Sequence, residues 1–133
     1  MITEELTNEI TEMLLSFKVQ PEIMGFEYLR TGIKLCFEDD SLKNNITKKL
    51  YPKVAEIFNS SPETVERAMR TAVENCYNCG GLLEVNEQCG LVVYKNDFKW
   101  TNGEMITTLV ELIKLKETRK AIENKLKELE EAN

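Results

Sequence analysis

Residues 61–76 limit what this chain can become more than any other stretch. Ser61, Pro62 and Glu63 have the chemistry of a helix start. They supply a hydroxyl for an orphan backbone N–H, a ring with φ preset for the first helical position, and a carboxylate at the positive end of the dipole. Val65, Ala68, Met69, Ala72, Val73 and Cys76 then recur at intervals of 3, 1, 3, 1 and 3, the period of one buried helix face. Glu66, Arg67, Arg70, Thr71 and Glu74 fall on the opposite face. The segment in front, residues 46–58, offers Leu50, Tyr51, Val54, Ile57 and Phe58 as an inward set. Pro52 within it predicts either a kink or a fresh helix start with proline at the first position. Asn59-Ser60-Ser61 is the short turn between the two, so the pattern predicts a helix-turn-helix.

The rest of the chain also reads mainly as helix. Residues 4–17 place Leu6, Ile10, Met13, Leu14 and Phe17 inward, and Lys18-Val19-Gln20-Pro21 ends that helix. A second helix from about residue 22 to 37 aligns Phe26, Leu29, Ile33, Cys36 and Phe37. Gly25 and Gly32 weaken its intrinsic propensity, and Gly32 offers close helix packing. Glu38-Asp39-Asp40-Ser41 is an acidic turn; a phosphoacceptor aspartate would need a parallel sheet, and no βαβ alternation exists here. The expectation is a solvated loop and cap. Residues 82–89 stay open between a short helix and a hairpin arm, and Leu91-Val92-Val93-Tyr94 reads as a brief extended segment.

Thr101-x-x-Glu104 is a capping box that opens the last helix, with Met105, Leu109, Leu112 and Ile113 at core spacing. That helix then outruns any small domain. Leu112, Leu115, Arg119, Ile122, Leu126 and Leu129 are spaced 3, 4, 3, 4 and 3, a heptad seam with Arg119 as its polar break. Two readings remain open: a coiled-coil dimer seam, or a charged tail helix packed on its own domain.

A chain of 133 residues fits one domain. Its net charge of -6 argues against a generic nucleic-acid binder. The charge is unevenly spread: residues 1–40 carry three basic and nine acidic side chains, residues 41–80 six and four, residues 81–133 eight and ten. The one positive third holds the helix-turn-helix. No apolar run approaches the roughly 20 residues of a membrane helix, and the acidic opening lacks a signal-peptide pattern, so a cytoplasmic protein is expected. Cys76-x-x-Cys79 with Cys89, and Cys36 as a fourth, could offer thiolates to zinc. Without a second CxxC, Cys36 and Cys76 read better as small core hydrophobes, and no metal or cofactor is expected. No redox role for the CxxC pair and no disulfide is expected either. With no histidine, no nucleophile–base pairing and no glycine-rich phosphate loop, an enzyme is not expected.

A helix anchored on one face, with two arginines one turn apart on the other, has the geometry to read base edges in a DNA major groove. The blocks around it carry a resemblance. Gly25-Phe26-Glu27-Tyr28-Leu29-Arg30, Ile46-Thr47-Lys48-Lys49-Leu50-Tyr51-Pro52, Phe58-Asn59, Val65-Glu66-Arg67-Ala68-Met69-Arg70 and Thr101-Asn102 resemble the C-terminal DNA-binding domain family of stage zero sporulation protein A, over about residues 10 to 115. The fold this implies is all-α: a six-helix domain containing a helix-turn-helix, with 82–89 as the short fifth helix. The chain then divides into an effector-like domain, 1–115, and a C-terminal helical extension, 116–133, that goes beyond the family domain.

The resemblance implies a transcriptional regulator whose helix 62–78 reads double-stranded promoter DNA. It places Glu66, Arg67 and Arg70 at base contacts. Each arginine can present a bidentate fork to guanine, and Glu66 can accept from cytosine or orient Arg70 four residues on. Candidate phosphate contacts are Lys48, Lys53, Ser61 and Thr64, followed by Lys95, Lys99, Thr101 and Asn102. Glu84, Glu87 and Trp100, the last standing where proline is expected, depart from the family pattern. These 133 residues hold no phosphoacceptor receiver domain; the expected substitute is a homodimer through Leu112, Leu115, Ile122, Leu126 and Leu129. The competing expectation is an interaction module that binds no DNA and antagonises a sporulation-type regulator through its tail or acidic face.

Overall fold

The computed structural model describes residues 4–89 and 99–132, and every regular element among them is helical. In chain order these are α1 (Glu4–Ser16), α2 (Met24–Glu38), a 3-10 turn (Asp40–Leu42), a π-type turn (Ile46–Leu50), α3 (Tyr51–Ile57), α4 (Pro62–Asn78), α5 (Gly81–Cys89) and α6 (Asn102–Glu131). The all-α, six-helix expectation holds, and 82–89 is helix. The extended segment expected at 91–94 and the phosphate contact expected at Lys95 lie outside the described residues.

The hub is α2, which packs against α1, α3, α4 and α6. It begins at Met24, two residues later than its periodicity suggests, because the chain still turns after Pro21 and Ile23 stays extended at φ -91°, ψ 145°. Phe26, Leu29, Ile33 and Cys36 join Leu6, Ile10 and Leu14 of α1 and Val65, Met69 and Ala72 of α4 in one continuous core. A Cβ added at Gly25 would lie 2.2 Å from the Ala68 carbonyl oxygen. The backbones of α2 and α4 therefore touch there, and glycine sets how deeply α4 is seated. Arg30 ties α2 to α1: it bonds Glu27, donates to Thr11 Oγ1 at 3.2 Å and lies 5.6 Å over the Phe26 ring. Tyr28 meets Phe58 edge-on, with ring centroids 5.1 Å apart, and so joins α2 to the end of α3.

Pro52 explains the local form of the helix-turn-helix. It has no N–H to donate, and the chain ahead of it widens into the π-type turn, with Leu50 N–H reaching the Asn45 carbonyl at 3.4 Å. Helix α3 then starts afresh with Pro52 in its first turn. Leu50, Tyr51, Val54 and Ala55 are buried, with Phe58 half-buried, one stripe at helical spacing. Ile57, expected inward, is left on the flank and is 55% exposed.

Asn59 takes φ 54°, in the left-handed region that asparagine tolerates better than most residues. Ser60 N–H then closes back on the Ala55 carbonyl at 2.8 Å, which completes the turn. Ser61 Oγ accepts the Thr64 N–H at 3.2 Å, so α4 is capped as its sequence predicts. Val65, Met69, Ala72, Val73 and Cys76 are buried, and Ala68 is half-buried. Burial pushes the Cys36 and Cys76 thiols up, to about 11 and about 12, so both behave as small protonated apolar groups. Gly80, at φ 81°, reverses the chain between α4 and α5.

Helix α6 begins with the complete capping box: Thr101 Oγ1 accepts Glu104 N–H at 3.1 Å, and Glu104 Oε1 accepts Thr101 N–H at 2.9 Å. Met105, Ile106, Leu109, Val110 and Ile113 are buried, and Leu112 is half-buried. Ionic contacts then hold the helix further along. Lys114 reaches Asp40 at 2.6 Å, Lys43 reaches Glu111 at 2.9 Å, and Lys120 bonds Glu5 at 3.2 Å and also Glu9. The acidic turn is thus partly a docking point for α6, while Asp39 caps the 3-10 turn by accepting from Ser41. Residues 118–132 are all exposed, including Ile122, Leu126 and Leu129. No described helix is long and apolar enough to cross a membrane.

Candidate nucleic-acid interface

The face of α4 opposite its buried stripe presents Arg67 and Arg70 to solvent, with Glu66 half-buried between them and the body of the domain. Arg70 Nη1 lies 3.4 Å from Glu66 Oε1, one turn back. This is the i, i+4 pair that the spacing allowed. The pair is well exposed, and such pairs contribute about 0–1 kcal/mol. The contact therefore leaves Arg70 free to move. Arg67 makes no ion pair among the described residues, and Thr71 Oγ1 bonds its backbone carbonyl at 3.1 Å.

Beside this face runs a groove of about 480 Å³. Glu66, Arg70, Val73 and Glu74 of α4 form one wall; Ile46, Thr47 and Tyr51 form another; Lys99, Trp100, Thr101, Asn102 and Gly103 close it. Lys99 Nζ sits 5.1 Å from the Tyr77 ring centroid, a cation–π contact that holds the lysine against α4. Trp100 is 4% exposed, so its indole is part of the packing between α4 and the start of α6.

The fold brings Glu66, Arg70, Lys99, Thr101 and Asn102 around one groove, whereas Lys48, Lys53, Ser61 and Thr64 do not line it. Lys48 and Lys53 are exposed. Lys53, with Lys49, adds to the hydrogen bonds from Ser41 in holding the Asp39 carboxyl below its usual value. Ser61 and Thr64 bond each other at 2.8 Å in the helix cap. Thr101 Oγ1 and the Thr101 N–H are both engaged with Glu104 in the capping box. Asn102, expected toward a phosphate, is turned inward at 8% exposure. Its amide donates to Tyr51 Oη and to the Glu66 carbonyl oxygen, each at 3.1 Å.

Sequence reasoning missed Tyr51 and Trp100 as walls of this groove, since Tyr51 read as a core residue and Trp100 only as a departure from the family pattern. One signal was present: a buried tyrosine hydroxyl needs a partner. Burial pushes that hydroxyl up from its usual value, so it stays protonated. Among the described residues no group of three or more cysteine, aspartate or glutamate side chains is placed to hold a metal ion.

A family model described as the sporulation initiation factor Spo0A C-terminal domain matches residues 10–113. The match spans α2 to α5 whole and ends at Ile113, the last fully buried residue of α6. It is a family of DNA-binding regulatory domains and not of enzymes. The chain belongs to the Spo0A C-terminal domain family, the DNA-binding domain of a sporulation regulator.

Proposed function

We propose that this chain is a sequence-specific transcriptional regulator that sets α4 in the major groove of promoter DNA and acts as a dimer in the cytoplasm. The observation that carries this reading is the two-faced build of α4. Its inner stripe is seated in the core, and its outer face presents Arg67 and Arg70, exposed and one turn apart, beyond a turn fixed by Asn59 and Ser61. Arg67 and Arg70 are the proposed readers of guanine edges, with Glu66 orienting Arg70 or accepting from cytosine. Lys48, Lys53, Lys95 and Lys99 are the proposed phosphate contacts, joined by backbone and hydroxyl groups at Ser61, Thr64 and Thr101.

Residues 1–115 would form the DNA-binding unit, and 116–133 the extension that pairs two copies. Leu115, Ile122, Leu126 and Leu129 support that pairing, because they lie 46–55% exposed on a heptad seam. A second reading, an interaction module without DNA binding, draws support from the net charge of -6 and from Glu104 at the start of α6.

Binding of Arg67→Ala and Arg70→Ala to duplexes selected by the wild-type protein separates the two. Under direct readout each variant loses about 1–3 kcal/mol and relaxes one base position. Unchanged affinity in both variants removes these arginines as the readers, and a wild-type protein that selects no duplex leaves the interaction-module reading in place. Lys53→Ala and Lys99→Ala should instead weaken all duplexes alike and lower the salt slope by about one each.

A further inference from the structure

The geometry points to Asn102 as a positioning residue that fixes the reading turn of α4 through its backbone. This inference rests on α4 being the reading helix. Asn102 is the first residue of α6, yet its side chain is 8% exposed and lies between two other elements. One amide nitrogen serves two acceptors 3.1 Å away: the Tyr51 hydroxyl from α3 and the Glu66 carbonyl from α4. Both amide hydrogens are thereby used, one on each acceptor. Three helices meet at this amide.

The place where α4 is held matters. Glu66 lies in the second turn of α4, its side chain pairs with Arg70, and Arg67 is the next residue. A bond to the Glu66 carbonyl therefore fixes the backbone from which the three proposed base-contacting side chains project. On the other side of α4, Gly25 brings the α2 backbone against Ala68. Asn102 and Gly25 thus hold the same two turns of α4, one by a directed hydrogen bond and one by contact. Bidentate readout tolerates little misplacement, so a small tilt of these turns would cost discrimination between bases more than it costs attraction to phosphates.

This role separates cleanly from a phosphate contact and from a merely structural one. The probes are a duplex selected by the wild-type protein and a scrambled duplex of the same length, each titrated at several salt concentrations. Asn102→Ala should lose about tenfold in preference for the selected duplex, with little change on the scrambled duplex and an unchanged salt slope. In an Arg67→Ala, Arg70→Ala background the same substitution should cost no further preference, because its effect passes through those side chains. Tyr51→Phe, which keeps the bond to Glu66, should retain most of the preference. It also keeps the test open if Asn102→Ala folds poorly: a folded Tyr51→Phe protein that loses about tenfold in preference overturns the assignment of the role to the Glu66 bond. Equal weakening on both duplexes with a reduced slope would make Asn102 a phosphate contact. A lowered melting temperature with preference intact would make it structural, and either result overturns the inference. A wild-type protein that binds both duplexes equally overturns the reading of α4 itself.

Discussion

Gly25 and Gly32 lie two turns apart on α2, on the side that meets α4, and alanine should act oppositely at the two positions. At Gly25 the new methyl would meet the Ala68 carbonyl oxygen at 2.2 Å and Ala72 Cβ at 2.7 Å. Neither can yield without unseating α4, so Gly25→Ala should cost about 1–3 kcal/mol or more. A fall in the urea midpoint at unchanged slope would report it. At Gly32 the nearest atom is Met69 Cε, the mobile end of a flexible side chain, at 3.3 Å. Gly32→Ala also gains up to about 1 kcal/mol of helix propensity, so its midpoint should hold or rise. Both glycines were visible in the sequence, which marked Gly32 for close packing. The depth of a helix crossing is not encoded in periodicity, so the greater demand at Gly25 emerges only from the packed structure. Asn102 is a similar case: its place at a helix start was legible, and the inward turn of its amide was not.

Among the elements, α4 and the first half of α6 were the most legible, because spacing, cap and charge agreed at every position. Thr101→Ala should cost about 1 kcal/mol and fray the start of α6, which a thermal melt and amide exchange at Met105 would report. The register of α3 was less legible. Its buried set, Leu50, Tyr51, Val54, Ala55 and Phe58, keeps the helical spacing of 1, 3, 1 and 3, so Ala55 belonged to the inward stripe and the larger Ile57, which lies off it, drew the expectation instead.

The second half of α6 is held to α1 by Lys120, and this contact carries a pH signature. Burial pushes the Glu9 carboxyl up, yet the hydrogen bonds with Lys120 and Glu117 and the charges of Lys120 and Lys116 outweigh it and hold Glu9 below its usual 4.5. Glu117 is raised, first by its hydrogen bond with Glu9 and then by burial. The signs therefore oppose. The Glu9 contribution to stability is full above 4.5 and is lost as pH falls through its lowered value. The Glu117 contribution is present below 4.5 and is lost as pH rises through its raised value. Lys120→Met removes the first cause that lowers Glu9. It should slightly reduce the melting temperature near neutrality and flatten its fall on acidification, with faster amide exchange at the start of α1.

For the whole molecule, the uneven charge and the continuous α6 set the terms. A protein of net charge -6 with its one positive third around the helix-turn-helix should bind DNA with a modest salt slope and weak non-specific affinity. The paired substitution Ile122→Asp, Leu126→Asp lies wholly on exposed positions, 55% and 54%. It should yield a folded monomer by sedimentation, with affinity lowered on duplexes carrying two half-sites. A dimer that survives it is held together elsewhere. The central claim is that α4 reads DNA, and selection of bound duplexes from a random pool at two salt concentrations tests it most directly. The expected result is one enriched motif at both salts, with positions that lose their enrichment in Arg67→Ala and Arg70→Ala. A pool that emerges without enrichment at either salt contradicts it.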